Sequence, residues 1–469
     1  MVLKGYCLFL LFQRGTFPVP KNSLKRMPQS FKIITLGCKV NQYESAHLKE
    51  ALVQGGLKES RDGERADTAI INTCIVTKRA AHQSRQAIRK AVRENPGGVV
   101  AAIGCYAQVF PEELVAIPGV GLIAGNSLKR EVPALLMNAE ASGHRAVALE
   151  RFEPGMPFEY LPIKRLSDRS RAYLKVQDGC ESYCSYCIVP YARGPLRSLS
   201  LSKVLSQCET FAQEGYGEIV LTGIHLGRYG ADLEEETTLT TLLLAIGRER
   251  FPLRVRLSSL EPGEIHGDII ELAGIGNRLC PHFHIPLQSG DDHILGKMNR
   301  NYTGREFASL VEDIKAKIPE AAIGVDVMAG FPGEDHRAYS NTLSLIEDLP
   351  ISYLHVFPFS RRRGTPANTF DGQNDSVTIK ERARELRALG QSKRHAFYRD
   401  CLNKAFEVLV EGKALPDEKM LKGTSDNYLP VVFAPAHKSR GGLVSVYMEK
   451  IRDNTVIGNE VRNHGPARA

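Results

Sequence analysis

The sequence predicts an α/β protein in three parts: a doubly wound α/β domain, a partial (β/α)6 TIM-like barrel, and a small all-β barrel at the end. Three observations lead there. Short apolar runs alternate with helical patterns from residue 31 to about 140. Six further strand-like runs, most of them separated by helices, fill residues 171–400. After residue 401 the helical pattern gives way to alternating strands split by Gly and Asp/Asn turns. A length of 469 residues, 43% hydrophobic and 24% charged, suits an ordinary folded protein of two or three domains.

Residues 1–30 carry an apolar run at 6–12 behind a single lysine, with no small-residue cleavage site and with Pro18 and Pro20 close behind. They read as poorly structured, or as lying upstream of a start at Met27, and not as a signal peptide. No stretch approaches the ~18 apolar residues that span a membrane, so a cytoplasmic chain without membrane contact is expected. In the first domain, 31–140, the runs 32–36, 68–72 and 99–103 suit buried parallel strands. Helices are expected over 45–57, over 78–93 and, briefly, after Pro111. Residues 141–170, with Pro154, Pro157 and Pro162, read as a linker. The barrel strands are expected at 172–176, 218–222, 253–257, 282–286, 323–327 and 353–357, with the active site at their C-terminal ends. A long basic helix over 378–405 then leads to the last domain, 401–463. Its strands at 406–410, 428–433 and 443–447 suggest a β-barrel of a type that often binds RNA.

The net charge of +8 is a mild pointer to nucleic acid. It is unevenly spread: six Lys/Arg and no acid lie between Cys74 and Arg93, and seven Lys/Arg against three acids between Val377 and Asp400. From residue 400 onward the chain is nearly neutral, with ten Lys/Arg against nine acids. Lys78, His82, Arg85, Arg89 and Arg93 share one helical face. A solvated face suits them, and RNA phosphate contact by Arg85 and Arg89 competes with that reading. Arg361, Arg362 and Arg363 follow the last barrel strand, where an active site belongs; Arg361 and Arg363 are carried forward as RNA contacts.

Ten cysteines without a secretion signal argue for metal or redox chemistry and against a disulfide framework. Cys180, Cys184 and Cys187 form a C-x3-C-x2-C triplet directly after the first barrel strand. Thiolates suit iron–sulfur clusters or zinc. A structural zinc site is normally closed by four protein ligands, and no fourth Cys or His follows closely; a zinc knuckle would need a distant residue. A four-iron cluster on three thiolates leaves one iron open, which the amino and carboxylate groups of S-adenosylmethionine can chelate. Reductive cleavage there releases a 5′-deoxyadenosyl radical, with the barrel supplying orientation and shelter.

Cys38, Cys74 and Cys105 are separated by 36 and 31 residues, yet each follows an apolar run. Parallel strands bring their C-terminal ends to one sheet edge, so the three can converge where α/β sheets bind ligands. Gly37 and Gly104, just before two of them, allow close backbone approach. Buried free cysteines at strand ends are common as packing residues; recurrence in the same place three times favours a second site. Cys7, Cys208, Cys280 and Cys401 read as non-ligands, and His282 and His284 as barrel lining.

The triplet, with an aromatic before its last cysteine, resembles the radical S-adenosylmethionine superfamily. Gly37-Cys-Lys-Val-Asn-Gln-Tyr-Glu-Ser45, Asn72-Thr-Cys-Ile-Val-Thr77 and Gly104-Cys-Tyr-Ala-Gln108 resemble the N-terminal domain of the methylthiotransferases. Cys184-Ser-Tyr-Cys-Ile-Val-Pro-Tyr-Ala-Arg-Gly194, Pro286-Leu-Gln-Ser-Gly290, Gly330-Phe-Pro-Gly-Glu334 and Arg363-Gly-Thr-Pro366 resemble that family's barrel. The last domain is placed like the family's TRAM domain. The resemblance implies two [4Fe-4S] clusters, one on each cysteine set, and S-adenosyl-L-methionine both cleaved and used as methyl donor. It implies cofactor contacts by Tyr186 (against the adenine), Gln288, Gly330 and Gly333. It also implies a tRNA substrate and a reductant such as flavodoxin or ferredoxin, with the sulfur donor left open. The signatures after Cys38 and Cys74 resemble the branch acting on N6-threonylcarbamoyladenosine beside the anticodon; 194–198 departs from that branch. Isopentenyladenosine tRNA or a ribosomal protein is the alternative substrate, and a non-catalytic metal-containing RNA-binding protein is the alternative of another class.

Overall fold

The computed structural model describes residues 28–461 apart from 62, 143–144, 167–169, 276–277, 414–419 and 436–441. The expectations for 1–27, including Cys7 and the alternative start, lie outside the described residues.

The first domain is a six-stranded sheet in the order Lys58–Glu59, Ser30–Thr35, Thr68–Thr73, Val99–Gly104, Val120–Ala124, Ala146–Ala148, with every neighbouring pair parallel. Helix Lys78–Glu94 covers one face, burying Ile88 and Ala91 against Ala69, Ile71 and Val100. Helices Lys39–Gln54 and Val132–Ser142 cover the other, burying Leu48, Leu52 and Leu136 against Ile70, Ala101 and Leu122. Both faces are dry, which is why the strands read as continuous apolar runs. The strand order turns back between Ser30–Thr35 and Thr68–Thr73, and a ligand crevice belongs at the C-terminal ends of that pair.

The structure differs from expectation in two places here. Helix Lys39–Gln54 starts at Cys38, its N-cap, and not at residue 45. Its first turns bury Asn41, Tyr43 and Glu44, polar residues whose partners are tertiary and leave no apolar period to read. The segment read as linker also begins inside the first domain, since Ala146–Ala148 is its edge strand. Further on, Leu161, Ile163 and Leu166 are buried in the core of the barrel.

The barrel strands are Arg171–Lys175, Glu218–Thr222, Arg254–Leu257, His282–Gln288, Ala322–Ala329 and Tyr353–Pro358, all within a residue or two of their expected starts. They form two parallel three-stranded sheets joined by a bridge between Val255 and Leu279. Phe283, Ile285, Val325 and Leu354 point outward into the helical layer, as part of one large core. The alternate residues, His282, His284, Asp326, Tyr353 and His355, therefore face the barrel interior. Helix Ser376–Asp400, capped by Asp375, ends five residues earlier than expected, before Asn403 turns left-handed (φ 62°).

The last domain is a closed five-stranded barrel in the order Ala405–Lys413, Leu421–Ser425, Pro430–Ala434, Thr455–Glu460, Leu443–Arg452. Leu421–Ser425 and Thr455–Glu460, too polar to read as strands, complete it. It docks under the N-terminal ends of the half-barrel strands. Glu218 holds Arg254 (2.8 Å) and Arg256 (2.9 Å). Those guanidiniums donate onward to the carbonyls of Glu407, Thr424, Ser425 and Asp426. These ions are buried but fully partnered, the condition under which a buried pair is tolerated. No helix among the described residues is long and apolar enough to cross a membrane.

Candidate active site

Beyond strand Arg171–Lys175 the chain folds into the loop that carries the contiguous cysteines. Gly179 is left-handed (φ 78°), and a Cβ there would run into the Pro195 carbonyl, so only glycine closes this turn. Tyr183 is left-handed too (φ 45°). Each sulfur has a hydrogen-bonding neighbour: His225 Nδ1 lies 3.5 Å from Cys180 Sγ, Arg300 donates to Cys184 Sγ (3.4 Å), and the Val189 N–H donates to Cys187 Sγ (3.4 Å). Such contacts orient thiolate ligands and tune the metal they hold. Burial pushes the Cys187 thiol up to about 12. At Cys180, burial is outweighed by the bond to His225 and the pKa falls. Burial would lower His225, but its bonds to Cys180 and Glu264 (2.6 Å) hold it up at about 10.

A cavity of about 460 Å³ opens beside Cys184, lined by His225, Glu261, Glu264 and Arg300 among others. Glu261 holds Arg300 (3.1 Å) against this wall. On another side, Tyr186 meets Phe331 edge-on at 6.4 Å, which brings it to the Gly330–Glu334 turn. The glycines of that turn have packing reasons: a Cβ on Gly330 would strike Ile379, and one on Gly333 would strike the Lys297 ammonium. Gln288 ends its strand at a register shift with φ 62°, and its side chain takes no hydrogen bond among the described residues.

Cys38, Cys74 and Cys105 do converge at the ends of three adjacent strands. A Cβ on Gly37 (φ 98°) would sit 2.9 Å from Cys74 Sγ, and one on Gly104 (φ 95°) 2.5 Å from Asn72 Oδ1. Glycine is what lets the cysteine turns close in. Burial pushes Cys74 up to about 11, with Cys105 and Cys38 near enough to add to the rise. The Cys74 amide is pinned by Ser84 Oγ (3.1 Å), and Asn126 donates to Cys105 Sγ (3.4 Å). A single tetrahedral zinc holds its thiolates within about 4 Å of one another. Among the described residues, the one group of three ligand atoms within 4.8 Å of each other is His284, Asp326 and His355, so neither triplet is spaced for one ion. Both sets, three thiols wide apart with glycine turns and N–H donors around them, suit a cluster.

The two sets are tied together through Arg193. Helix Val189–Arg193 begins two residues after Cys187, and its Ile188 and Ala192 share a core with Cys105 and Tyr106. Arg193 is buried, donates to Asn41 Oδ1 (2.6 Å) and pairs with Glu44 and with Asp178 (3.3 Å). Glu44 also receives Lys129 (3.0 Å) and Lys175 (3.4 Å). Burial alone would raise the Glu44 carboxyl; these three cations hold it well below the usual carboxylate range. Asn41 reaches back to the carbonyls of Leu36 and Thr73, beside Cys38 and Cys74. Sequence reasoning missed this network. Its one signal was polar residues set inside apolar surroundings, such as Lys175 closing an otherwise apolar strand.

The arginines expected to meet RNA divide. Arg85 is paired inside the domain with Tyr106 and Glu113 (3.6 Å), while Arg89 is exposed and takes no partner among the described residues. Arg361 bonds Gln373 and Arg363 bonds Glu112 across the domain boundary. Arg362 is the one that turns inward: it is 7% exposed, with one guanidinium nitrogen lacking a partner, and Cys74 and Tyr106 are its neighbours. His284 bonds Asp326 (2.7 Å) inside the barrel, and His282 stacks on Tyr428 of the last domain (4.3 Å) and bonds the Tyr353 hydroxyl (2.8 Å). Cys208, Cys280 and Cys401 are buried apart from both triplets.

Comparison with known proteins matches residues 30–125 to a family described as uncharacterized protein family UPF0004, and 174–346 to the radical SAM superfamily. The threonylcarbamoyladenosine tRNA methylthiotransferase MtaB of Bacillus subtilis is 37% identical over 89% of this chain and 93% of its own. The protein of that name from Aquifex aeolicus is 36% identical over 88% and 98%. This chain belongs to the radical S-adenosylmethionine methylthiotransferase family. The family includes enzymes of other specificity: the tRNA-2-methylthio-N(6)-dimethylallyladenosine synthase of Natranaerobius thermophilus is 33% identical over 89% and 94%. In fold, the chain is similar to the radical S-adenosylmethionine methyltransferase TsrM of Kitasatospora setae (TM-score 0.53, 17% identity, 73% of this chain and 77% of that one). As a methylthiotransferase of this family it is an enzyme of iron–sulfur and S-adenosylmethionine chemistry.

Proposed function

We propose that this methylthiotransferase adds a methylthio group to C2 of N6-threonylcarbamoyladenosine beside the anticodon of tRNA, using two [4Fe-4S] clusters. The observation that carries the substrate is the identity of 37% and 36% to two threonylcarbamoyladenosine enzymes over nearly their whole length. What supports the cluster count is that both thiol triplets are three-fold, glycine-cradled and too widely spaced for one ion.

Cys180, Cys184 and Cys187 would hold one cluster and Cys38, Cys74 and Cys105 the other. When bound, the first supplies the 5′-deoxyadenosyl radical from S-adenosylmethionine, and the second carries the sulfur. Around them, Arg300 and His225 fix the sulfurs of Cys184 and Cys180, and Tyr186 bounds the cofactor space on the Gly330–Gly333 side, with Gln288 at the mouth of a neighbouring strand. The Arg193–Glu44 network holds the two triplets in register across the domain boundary. Chemistry at a base requires that base to leave its stack, and the polar half-barrel interior is the space it would enter. Exposed Arg89 fits a phosphate contact; Arg85, Arg361 and Arg363 would have to exchange an internal partner to make one. A flavodoxin or ferredoxin would supply electrons in the cytoplasm.

The test is nucleoside mass spectrometry of tRNA incubated with the anaerobically reconstituted enzyme, reductant, a sulfur source and S-adenosylmethionine. Conversion of threonylcarbamoyladenosine to its 2-methylthio form is expected. Conversion of isopentenyladenosine alone, or of a ribosomal protein alone, contradicts the substrate and leaves the family intact.

A further inference from the structure

A methylthiotransferase acting on tRNA has to tell one N6 substituent of its adenosine from another. Lys39 stands next to Cys38 and begins helix Lys39–Gln54. That helix packs along Arg171–Lys175, the edge strand on the open side of the half-barrel. Lys39 lies one turn before Tyr43, which is buried in the barrel core and donates to the Leu161 carbonyl (2.7 Å). Lys39 therefore shares the helix face that closes the barrel. The charges that act on it most are those of Arg256, Arg171 and Glu218, on three successive barrel strands, together with Cys38.

The cations around this space are otherwise committed. Glu218 holds Arg171 (3.5 Å), Arg254 and Arg256, and Lys175 is held by Asp178 (3.2 Å) and Glu44. Lys39 has no hydrogen bond and no ion pair among the described residues. Lys39 is half-buried, and a partly desolvated cation without a partner gains free energy when an anion reaches it.

Of the N6 substituents read by this family's tRNA enzymes, the threonylcarbamoyl group ends in a carboxylate and the dimethylallyl group is hydrocarbon. We propose that the Lys39 ammonium receives the carboxylate of the threonylcarbamoyl group and so selects this substrate. The inference rests on the threonylcarbamoyladenosine reading above. It places the base between the two thiol triplets, with its N6 substituent directed into the half-barrel.

The experiment compares reconstituted wild-type enzyme on two synthetic anticodon stem-loops, one bearing threonylcarbamoyladenosine and one bearing its methyl ester. Wild type should favour the free carboxylate in kcat/KM by roughly 10- to 100-fold, the worth of a hydrogen bond to a charged group. Lys39→Met should bring that ratio close to one, chiefly through KM, and Lys39→Arg should restore part of it. Iron and sulfide content, measured on each variant, separates a substrate effect from damage at neighbouring Cys38. A wild-type enzyme indifferent to the ester overturns the inference, and so does a Lys39→Met variant, fully loaded with iron, that keeps the preference. Should Lys39→Met fail to take up iron, Lys39→Gln, which removes the charge and keeps a polar side chain, replaces it. A ratio close to one then supports the inference, and the wild-type ratio overturns it. A wild-type enzyme that turns over neither stem-loop overturns the substrate reading instead.

Discussion

The two thiol triplets solve one problem in opposite ways. Cys180, Cys184 and Cys187 sit on a single loop, shaped by a glycine and a left-handed tyrosine within the same few residues. Cys38, Cys74 and Cys105 come from three strand ends, and only the parallel register of the sheet brings them together. The first site is local and costs little chain entropy to form. The second exists only when the domain is folded and docked, because Asn41 and Glu44, just beyond Cys38, are held by Arg193 of the barrel. A locally built site tolerates distant damage, and an assembled one inherits the stability of everything that assembles it.

The sharpest break between the two comes from removing one ligand of the loop triplet. Cys184→Ala should lower reductive formation of 5′-deoxyadenosine to background, and no methylthiolated nucleoside should form. Normal cleavage by that variant would move the radical chemistry elsewhere. The assembled triplet should behave differently. A variant with Cys38, Cys74 and Cys105 all replaced by Ala should still produce 5′-deoxyadenosine while making no thiolated product; loss of both activities would mean that the sites do not separate.

Glu44 tests how the assembled site is held. Glu44→Gln leaves Lys129, Lys175 and Arg193 buried around a neutral group, and losing one member of a buried ion cluster costs about 3–5 kcal/mol. Denaturant unfolding should show that loss. Iron at the assembled triplet should fall in the same variant, while 5′-deoxyadenosine formation falls less. Equal loss of both activities would erase the difference drawn between the sites.

The smallest expected effect is in pH. Glu159 lies at the margin of the same charge cluster; burial holds its carboxyl up at about 7, against the pull of Lys175. The folded chain thus keeps a proton that the unfolded chain releases near pH ~4.3. Stability from this group is full below that value and declines as pH rises to about 7. Glu159→Gln keeps the acceptor for the Arg130 amide and removes the charge. Thermal unfolding should show it on the order of 1–2 kcal/mol more stable than wild type at pH 8, with little difference at pH 4.

Much of this architecture was legible because parallel strands buried on both faces announce themselves as apolar runs. The six barrel strands and the three cysteine-bearing strands stand where those runs stand. The loop triplet was legible as spacing, and the assembled one as a recurrence of position. What was not legible is polar and tertiary. The turn from Lys39 to Glu44 reads as a loop because its buried side chains are Asn, Tyr and Glu, satisfied by residues up to 152 positions away. The edge strand Ala146–Ala148 has too few residues to show a period, and Leu421–Ser425 is a strand by pairing alone. The arginines show the same limit. Helical spacing put Arg85 beside Arg89, yet Arg85 is occupied inside the domain, and of three consecutive arginines only the structure shows that Arg362 turns in.

Whether two separate triplets each hold a four-iron cluster is decided by one assay. It is the iron and acid-labile sulfide content of the anaerobically reconstituted chain, taken in parallel for wild type and for the variant lacking each triplet. The expectation is about eight iron and eight sulfide in wild type and about half in either variant, since each four-iron cluster would depend on its own three thiolates. Undiminished iron in the variant lacking Cys38, Cys74 and Cys105, or zinc without sulfide in wild type, would contradict it.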